Sequence, residues 1–333
     1  MIRIGVVGYG YWGANIVRNF NSIEDGKVVA VCDVNKGVLE RAQKLFPGTE
    51  VTRESGDIVT SPNVDAVAVV TPVSSHFELA KLALLNGKHI FVEKPFTANV
   101  QQAEELIELA EKKNLIIMVD HTFLFTGAVR KIKQIIDSDL LGKLYYFDSV
   151  RVNLGLFQHD VNVVWDLAPH DLAVMDYLIG ENPVALVATG ESHINSLEDV
   201  AYLTMYFNDK VIAHLNVNWL SPVKVRTTLI GGGKKMLVWN DLDADEKIRI
   251  YDKGVEVNNI EGIYNLLVSY RSGDMWVPKV EQIEALKVES QYFVDCVNNN
   301  TKPINDGYKG LAVVKILEAA DRSLRKKGEM VYL

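Results

Sequence analysis

The sequence predicts an α/β chain in two parts. Residues 1–121 read as a doubly wound parallel sheet, and residues 122–333 as an α+β domain with a large, mostly antiparallel sheet. Three observations carry this. Short apolar runs alternate with helical stretches up to about residue 121, as strands covered on both faces require. The first run enters the glycine pattern Gly8-x-Gly10-x-x-Gly13. Beyond residue 180, strand-like runs follow one another with little helix between them.

In order, Ile2 to Val7 is a strand, the glycine loop follows, and Ala14 to Phe20 is helical. Val28 to Cys32 is the second strand, and it ends at Asp33, twenty residues past Gly13. This is the order of a Rossmann dinucleotide site. Gly8 permits the turn, Gly10 lets a pyrophosphate approach the backbone, and Gly13 lets helix and strand pack closely. Free N–H groups at the helix start face the phosphates. Tyr11 and Trp12 fill the variable positions and point outward over the cofactor. Asp33 accepts from both ribose hydroxyls and would repel a 2′-phosphate, which favours NAD over NADP.

Val38 to Phe46 is a helix and Asp57 to Thr60 a helical turn. Strand Ala66 to Val70 ends at Thr71-Pro72, where a cofactor-facing loop begins. His76 to Leu85 is helical, and strand His89 to Val92 leads into Glu93-Lys94-Pro95. Lys94 therefore stands at the ligand-binding edge of the sheet, where it either reaches a substrate hydroxyl or is a surface loop lysine. Helix Val100 to Lys113 and strand Leu115 to Val119, ending at Asp120-His121, complete the first part.

The second part opens with helix Gly127 to Ser138 and strand Leu144 to Leu154, with Val150, Val152 and Leu154 on one face and Ser149, Arg151 and Asn153 on the other. Helix Trp165 to Ile179 follows. Pro169 belongs in a first turn, which makes Asp166 the N-cap and sets His170 above it at i, i+4. Such a pair either shuttles protons or is a cap beside a packed imidazole. Strands follow at 185–194, 201–207, 211–220, 225–230, 235–239 and 247–251, then helices at 281–298 and 309–327.

A net charge of −8 argues against a nucleic-acid partner. Cys32 and Cys296 lie in apolar patterns, so neither a disulfide framework nor a thiolate metal site is expected. His159, Asp160, Asp166, His170 and Asp171 match no zinc spacing, and no metal is expected. No G-x-S-x-G elbow supports a serine hydrolase. A strand from residue 2 leaves no room for a signal peptide, and no apolar run reaches a membrane span, so the expected location is cytoplasmic.

The glycine loop, Thr71-Pro72 with His76, Glu93-Lys94-Pro95, and Asp166 with His170 occur in an order that resembles the glucose–fructose oxidoreductase/inositol dehydrogenase (Gfo/Idh/MocA) family over essentially the whole chain. The resemblance implies that Lys94, Asp166 and His170 are the catalytic group, with His170 as general base and Lys94 as the alternative base. It implies cofactor contacts from Gly8, Gly10, Tyr11, Trp12, Gly13, Asp33, Thr71, Pro72, His76, Glu93, Lys94 and His121. His121 is a departure, since many relatives have asparagine there. The second domain often mediates dimers or tetramers through its open sheet. Residues 151–160, Asn162, residues 165–171, Tyr270 to Asp274 and Pro278 look most like the dehydrogenases that oxidise the 3-hydroxyl of UDP-N-acetylglucosamine or its uronic acid. That likeness implies substrate contacts from Arg151, Asn153, Gln158, His159, Trp165, Asp166, His170 and Arg271. Arg151 and Asn153 either meet the substrate or lie on an exposed or dimer-forming face, and Arg271 either cradles a diphosphate or sits in a plain loop. Free cyclitols or sugars are the second substrate class. A non-catalytic NAD-binding regulator is a third reading, opposed by the intact Lys94, Asp166 and His170.

Overall fold

The computed structural model describes residues 1–155, 157–257 and 268–333, so Leu156, within the 151–160 run, lies outside the described residues. The chain divides into two compact units, residues 1–125 with 283–318, and residues 126–282 with 319–333.

The first unit holds β1 (Ile2–Val7), β2 (Gly26–Cys32), β3 (Glu50–Thr52), β4 (Ala66–Val69), β5 (His89–Glu93) and β6 (Ile117–Asp120). They pair in the order β3-β2-β1-β4-β5-β6, all parallel. Helices α1 (Tyr11–Phe20), α2 (Lys36–Leu45), α3 (Ser55–Val59), α4 (His76–Leu85) and α5 (Val100–Lys113) connect them. β4 is buried at every position, which explains its unbroken apolar run. Strand order reverses between β1 and β4, and ligands bind at the carboxyl ends of strands flanking such a point.

The second unit contains α6 (Gly127–Asp137), β7 (Leu144–Leu154), α7 (Val163–Ile179), β8 (Ala185–Glu191), β9 (Val200–Tyr206), β10 (Ile212–Asn218), β11 (Leu220–Gly232), β12 (Met236–Asn240), β13 (Ile248–Val257) and β14 (Val268–Trp276). Among the described residues these strands and β15 (Val331–Tyr332) form a nine-stranded sheet ordered β14-β13-β12-β11-β7-β10-β9-β8-β15. Only β7 and β10 run parallel within it. Ala213, Leu215 and Val217 of β10 are buried, in line with the alternation in sequence.

Three features depart from the sequence reading. Helices α8 (Ala285–Asn299) and most of α9 (Gly307–Arg325) belong to the first unit, not to a second domain running from 122 to the end. Packing explains this, because Phe293 of α8 meets Phe20 at 6.0 Å and Phe91 at 5.6 Å, edge to face. Secondly, α7 starts at Val163, capped by the Asn162 side chain on the Trp165 N–H at 3.1 Å. Asp166 is thus not the N-cap, and Pro169 sits inside the helix, where it removes one backbone bond. Thirdly, Tyr270 to Trp276 is part of a strand rather than a loop, because it pairs with β13.

Candidate active site

The first unit assembles most of the expected cofactor residues at one sheet edge. Gly8 turns with φ +99°, and a Cβ there would lie 2.2 Å from the Val70 carbonyl oxygen. A Cβ on Gly13 would lie 2.2 Å from the Gly8 carbonyl oxygen. A Cβ on Gly10 would meet nothing within 4 Å, so the chain leaves open space above this residue. Gly10 also caps α1 without any side-chain bond, which leaves first-turn N–H groups for an anion. Asp33 accepts from the Tyr9 N–H and the Asn35 N–H, both at 2.8 Å, and these hold its carboxylate at the end of β2. The cradle fits a dinucleotide. Tyr11 is exposed, while the Trp12 indole N–H turns inward to Asp120 at 2.8 Å, so Trp12 does not simply point outward.

The neighbouring loops are tied to one another. His76 is fully buried, with Nδ1 at 2.9 Å from the Pro95 carbonyl and Nε2 at 2.8 Å from the Thr71 carbonyl. It joins the Thr71-Pro72 loop to the loop after Lys94, which is a positioning role rather than an open cofactor contact. Burial holds its imidazole below the ordinary range. Glu93 accepts from the Lys94 backbone N–H at 2.8 Å. Although only half-buried by surface exposure, its carboxyl is pushed well above the usual range by desolvation and by the neighbouring Asp120. His121 is 2% exposed and neither ring nitrogen has a partner. Burial, with the charge of Lys94, brings its imidazole down to about 4.

In the second unit, α7 carries Asp166 and His170 one turn apart, both half-buried. Asp166 accepts from the Trp219 indole N–H at 3.1 Å. Several expected substrate residues have other partners. Arg151 is 4% exposed and lies on the covered face of β7, bonded through two nitrogens to Asp171 of α7 at 2.6 and 3.0 Å. Alternation along β7 gave the faces correctly but not which face α7 covers. Trp165 is buried, with its indole N–H on Asp321 at 2.9 Å. Arg271 lies on β14 and pairs with Asp252 at 2.9 Å, so it is not a loop residue. Asn153 and Gln158 are half-buried and His159 is exposed. Among the described residues no group of three or more His, Cys, Asp or Glu could hold a metal, and no helix is long and apolar enough to cross a membrane.

The sequence reading gives no role to Asp120, at the end of β6, or to Glu289. A signal existed: Glu289 interrupts the stripe Leu286, Ser290, Phe293 and Val294, which α8 buries.

A model of an oxidoreductase family with an NAD-binding Rossmann fold (Gfo/Idh/MocA) matches residues 2–121, and that family's C-terminal domain matches 129–238. The chain is 31% identical over 265 residues to an uncharacterized oxidoreductase of Escherichia coli, spanning 74% of this chain and 73% of that protein. It is 26% identical over 306 residues to the UDP-N-acetylglucosamine 3-dehydrogenase of Acidithiobacillus ferrooxidans, spanning 89% of this chain and 92% of that protein. A solved structure of the latter shares the fold, with a TM-score of 0.81, 24% identity and 98% of each chain covered.

Proposed function

The chain belongs to the Gfo/Idh/MocA oxidoreductase family and is an NAD(P)-dependent oxidoreductase of CH–OH groups; within that class we propose an NAD-dependent dehydrogenase whose leading substrate is a UDP-N-acetylhexosamine, or its uronic acid, oxidised at C3. The observation that carries the reading is the single sheet edge that holds the glycine cradle, Asp33 and the Glu93-Lys94-Pro95 loop.

The nicotinamide, when bound, supplies the hydride acceptor. First-turn N–H groups of α1 would hold the pyrophosphate and Asp33 the adenosine ribose. A carboxylate at Asp33 supports NAD over NADP. As hydride leaves the carbinol carbon, the hydroxyl proton needs an acceptor. His170, oriented by Asp166, takes it, while Lys94 hydrogen-bonds the reacting oxygen and favours its anionic form. Lys94 as base is the alternative. Partnership with a second copy through the C-terminal sheet is supported by Tyr202, Tyr206, Ile212 and Leu229, which remain exposed on β9, β10 and β11.

One observation favours a second reading. Arg151 and Arg271, which an anionic diphosphate would attract, already pair with Asp171 and Asp252. That supports an uncharged cyclitol or free sugar. NADH formation with a panel of UDP-sugars, inositols and hexoses, run with NAD and with NADP, separates these readings. Turnover of UDP-N-acetylglucosamine or its uronate with NAD is the expected result. Turnover of inositols alone, or a strong NADP preference, would overturn the corresponding part. His170→Ala should lower kcat by about 10²-fold or more, and a loss under about tenfold across the pH range would make Lys94 the base.

A further inference from the structure

Glu289 has no exposure, and α8 carries it into the first unit beside Ser290 and Phe293. Its Oε1 accepts from the Asn305 amide at 3.0 Å, and the same amide reaches the Val119 carbonyl at 2.7 Å. Its Oε2 has no donor. The Asn305 amide thus ties this carboxyl to β6 beside Asp120, the residue after Val119, and Asp120 and Thr122 are the side chains that act on it. Thr122 has one proton to give, and it goes to Asp120 Oδ1. Asp120 Oδ2 is taken by the Trp12 indole N–H. Asp120 therefore already accepts at both oxygens. Two carboxyls in contact bond only if one carries a proton.

Glu93 is the register partner of Asp120 across β5 and β6, and Asp120 pushes its carboxyl up as well. The titratable groups facing Glu289 are thus Asp120 and Glu93, with Lys94 and His121 on the loops that follow them. We propose that Glu289 is a positioning residue, a buried carboxylic acid whose O–H donates to Asp120 and so fixes the acceptor that anchors Trp12 of the glycine loop. Burial and the charge of Asp120 both keep a proton on it, in agreement with this role. The inference does not depend on which substrate the protein turns over.

The test compares the full chain with Glu289→Gln, whose amide N–H replaces the acid O–H as donor to Asp120. The wild-type fold holds a proton that the unfolded chain releases above the ordinary glutamate range. Wild type therefore loses stability relative to the variant as pH rises. The ratio of unfolding constants, wild type over variant, should grow by up to about tenfold per pH unit from about pH 5 upward. Infrared spectra at pH 8 should show a protonated-carboxyl carbonyl band in wild type that weakens in the variant. A ratio that stays level or falls with pH overturns the proposal, because it makes Glu289 an ionised acceptor. So does a band unchanged by the substitution. Absence of the band from wild type overturns it whether or not the variant folds.

Discussion

Acid should weaken this fold in part through the His121 imidazole. His121 is buried at the end of β6 without a partner for either ring nitrogen, and its surroundings bring it to about 4, against 6.5 for a free histidine. Between those values the unfolded chain binds a proton and the fold does not. The stability contributed is therefore complete above pH 6.5 and is lost as pH falls toward 4. At ~1.4 kcal/mol per pH unit the full loss is about 3 kcal/mol, and about 2 kcal/mol of it is gone at pH 5. The matching perturbation is His121→Asn, which keeps a polar side chain and cannot titrate. Urea denaturation of both chains at pH 8, 6.5 and 5 gives the two stabilities. Every other titrating group is common to both, so the difference isolates this ring. Wild type should lose about 2 kcal/mol relative to the variant between pH 8 and pH 5. A difference constant to within about 0.5 kcal/mol would show that His121 titrates alike in the folded and unfolded chains, and the reasoning fails.

Two further predictions concern the cradle and the buried ion pair. Gly10→Ala should leave the melting temperature unchanged but weaken NADH binding about tenfold or more by calorimetry, because its Cβ enters the space a pyrophosphate needs, whereas Gly13→Ala should destabilise the apo fold by driving its Cβ onto the Gly8 carbonyl. Equal effects of the two would remove the distinction. Asp171→Asn should cost about 3–5 kcal/mol in denaturant by leaving the Arg151 charge without its carboxylate in a buried site. The double change Arg151→Met with Asp171→Leu should recover most of that loss. A raised KM in a stable double variant would instead return Arg151 to the substrate site.

The parts legible in sequence were those set by local chemistry. The glycine loop, the acid ending β2 and the proline after Lys94 each act through their own backbone, so spacing alone located them. Arg151 and Trp165 have partners, Asp171 and Asp321, that lie 20 and 156 residues away, beyond any local pattern. Period-two alternation separates the two faces of a strand but does not say which one a helix will cover. The start of α7 escapes the sequence reading because Pro169 reads as a first-turn residue, whereas packing along a long apolar helix tolerates an interior proline. The chain Glu93–Asp120–Glu289 draws on three distant segments, and no local pattern brings them together.

The path of the chain has a consequence for its synthesis. Residues 283–318 complete the unit that residues 1–125 begin. On a ribosome the parallel sheet emerges long before Phe293 arrives to cover Phe20 and Phe91, and before Asn305 reaches Val119. The nascent nucleotide-binding half must wait through more than 150 residues with an aromatic surface uncovered, a state open to aggregation or chaperone capture. A fragment cut at residue 121 reproduces that unfinished intermediate rather than a free-standing module.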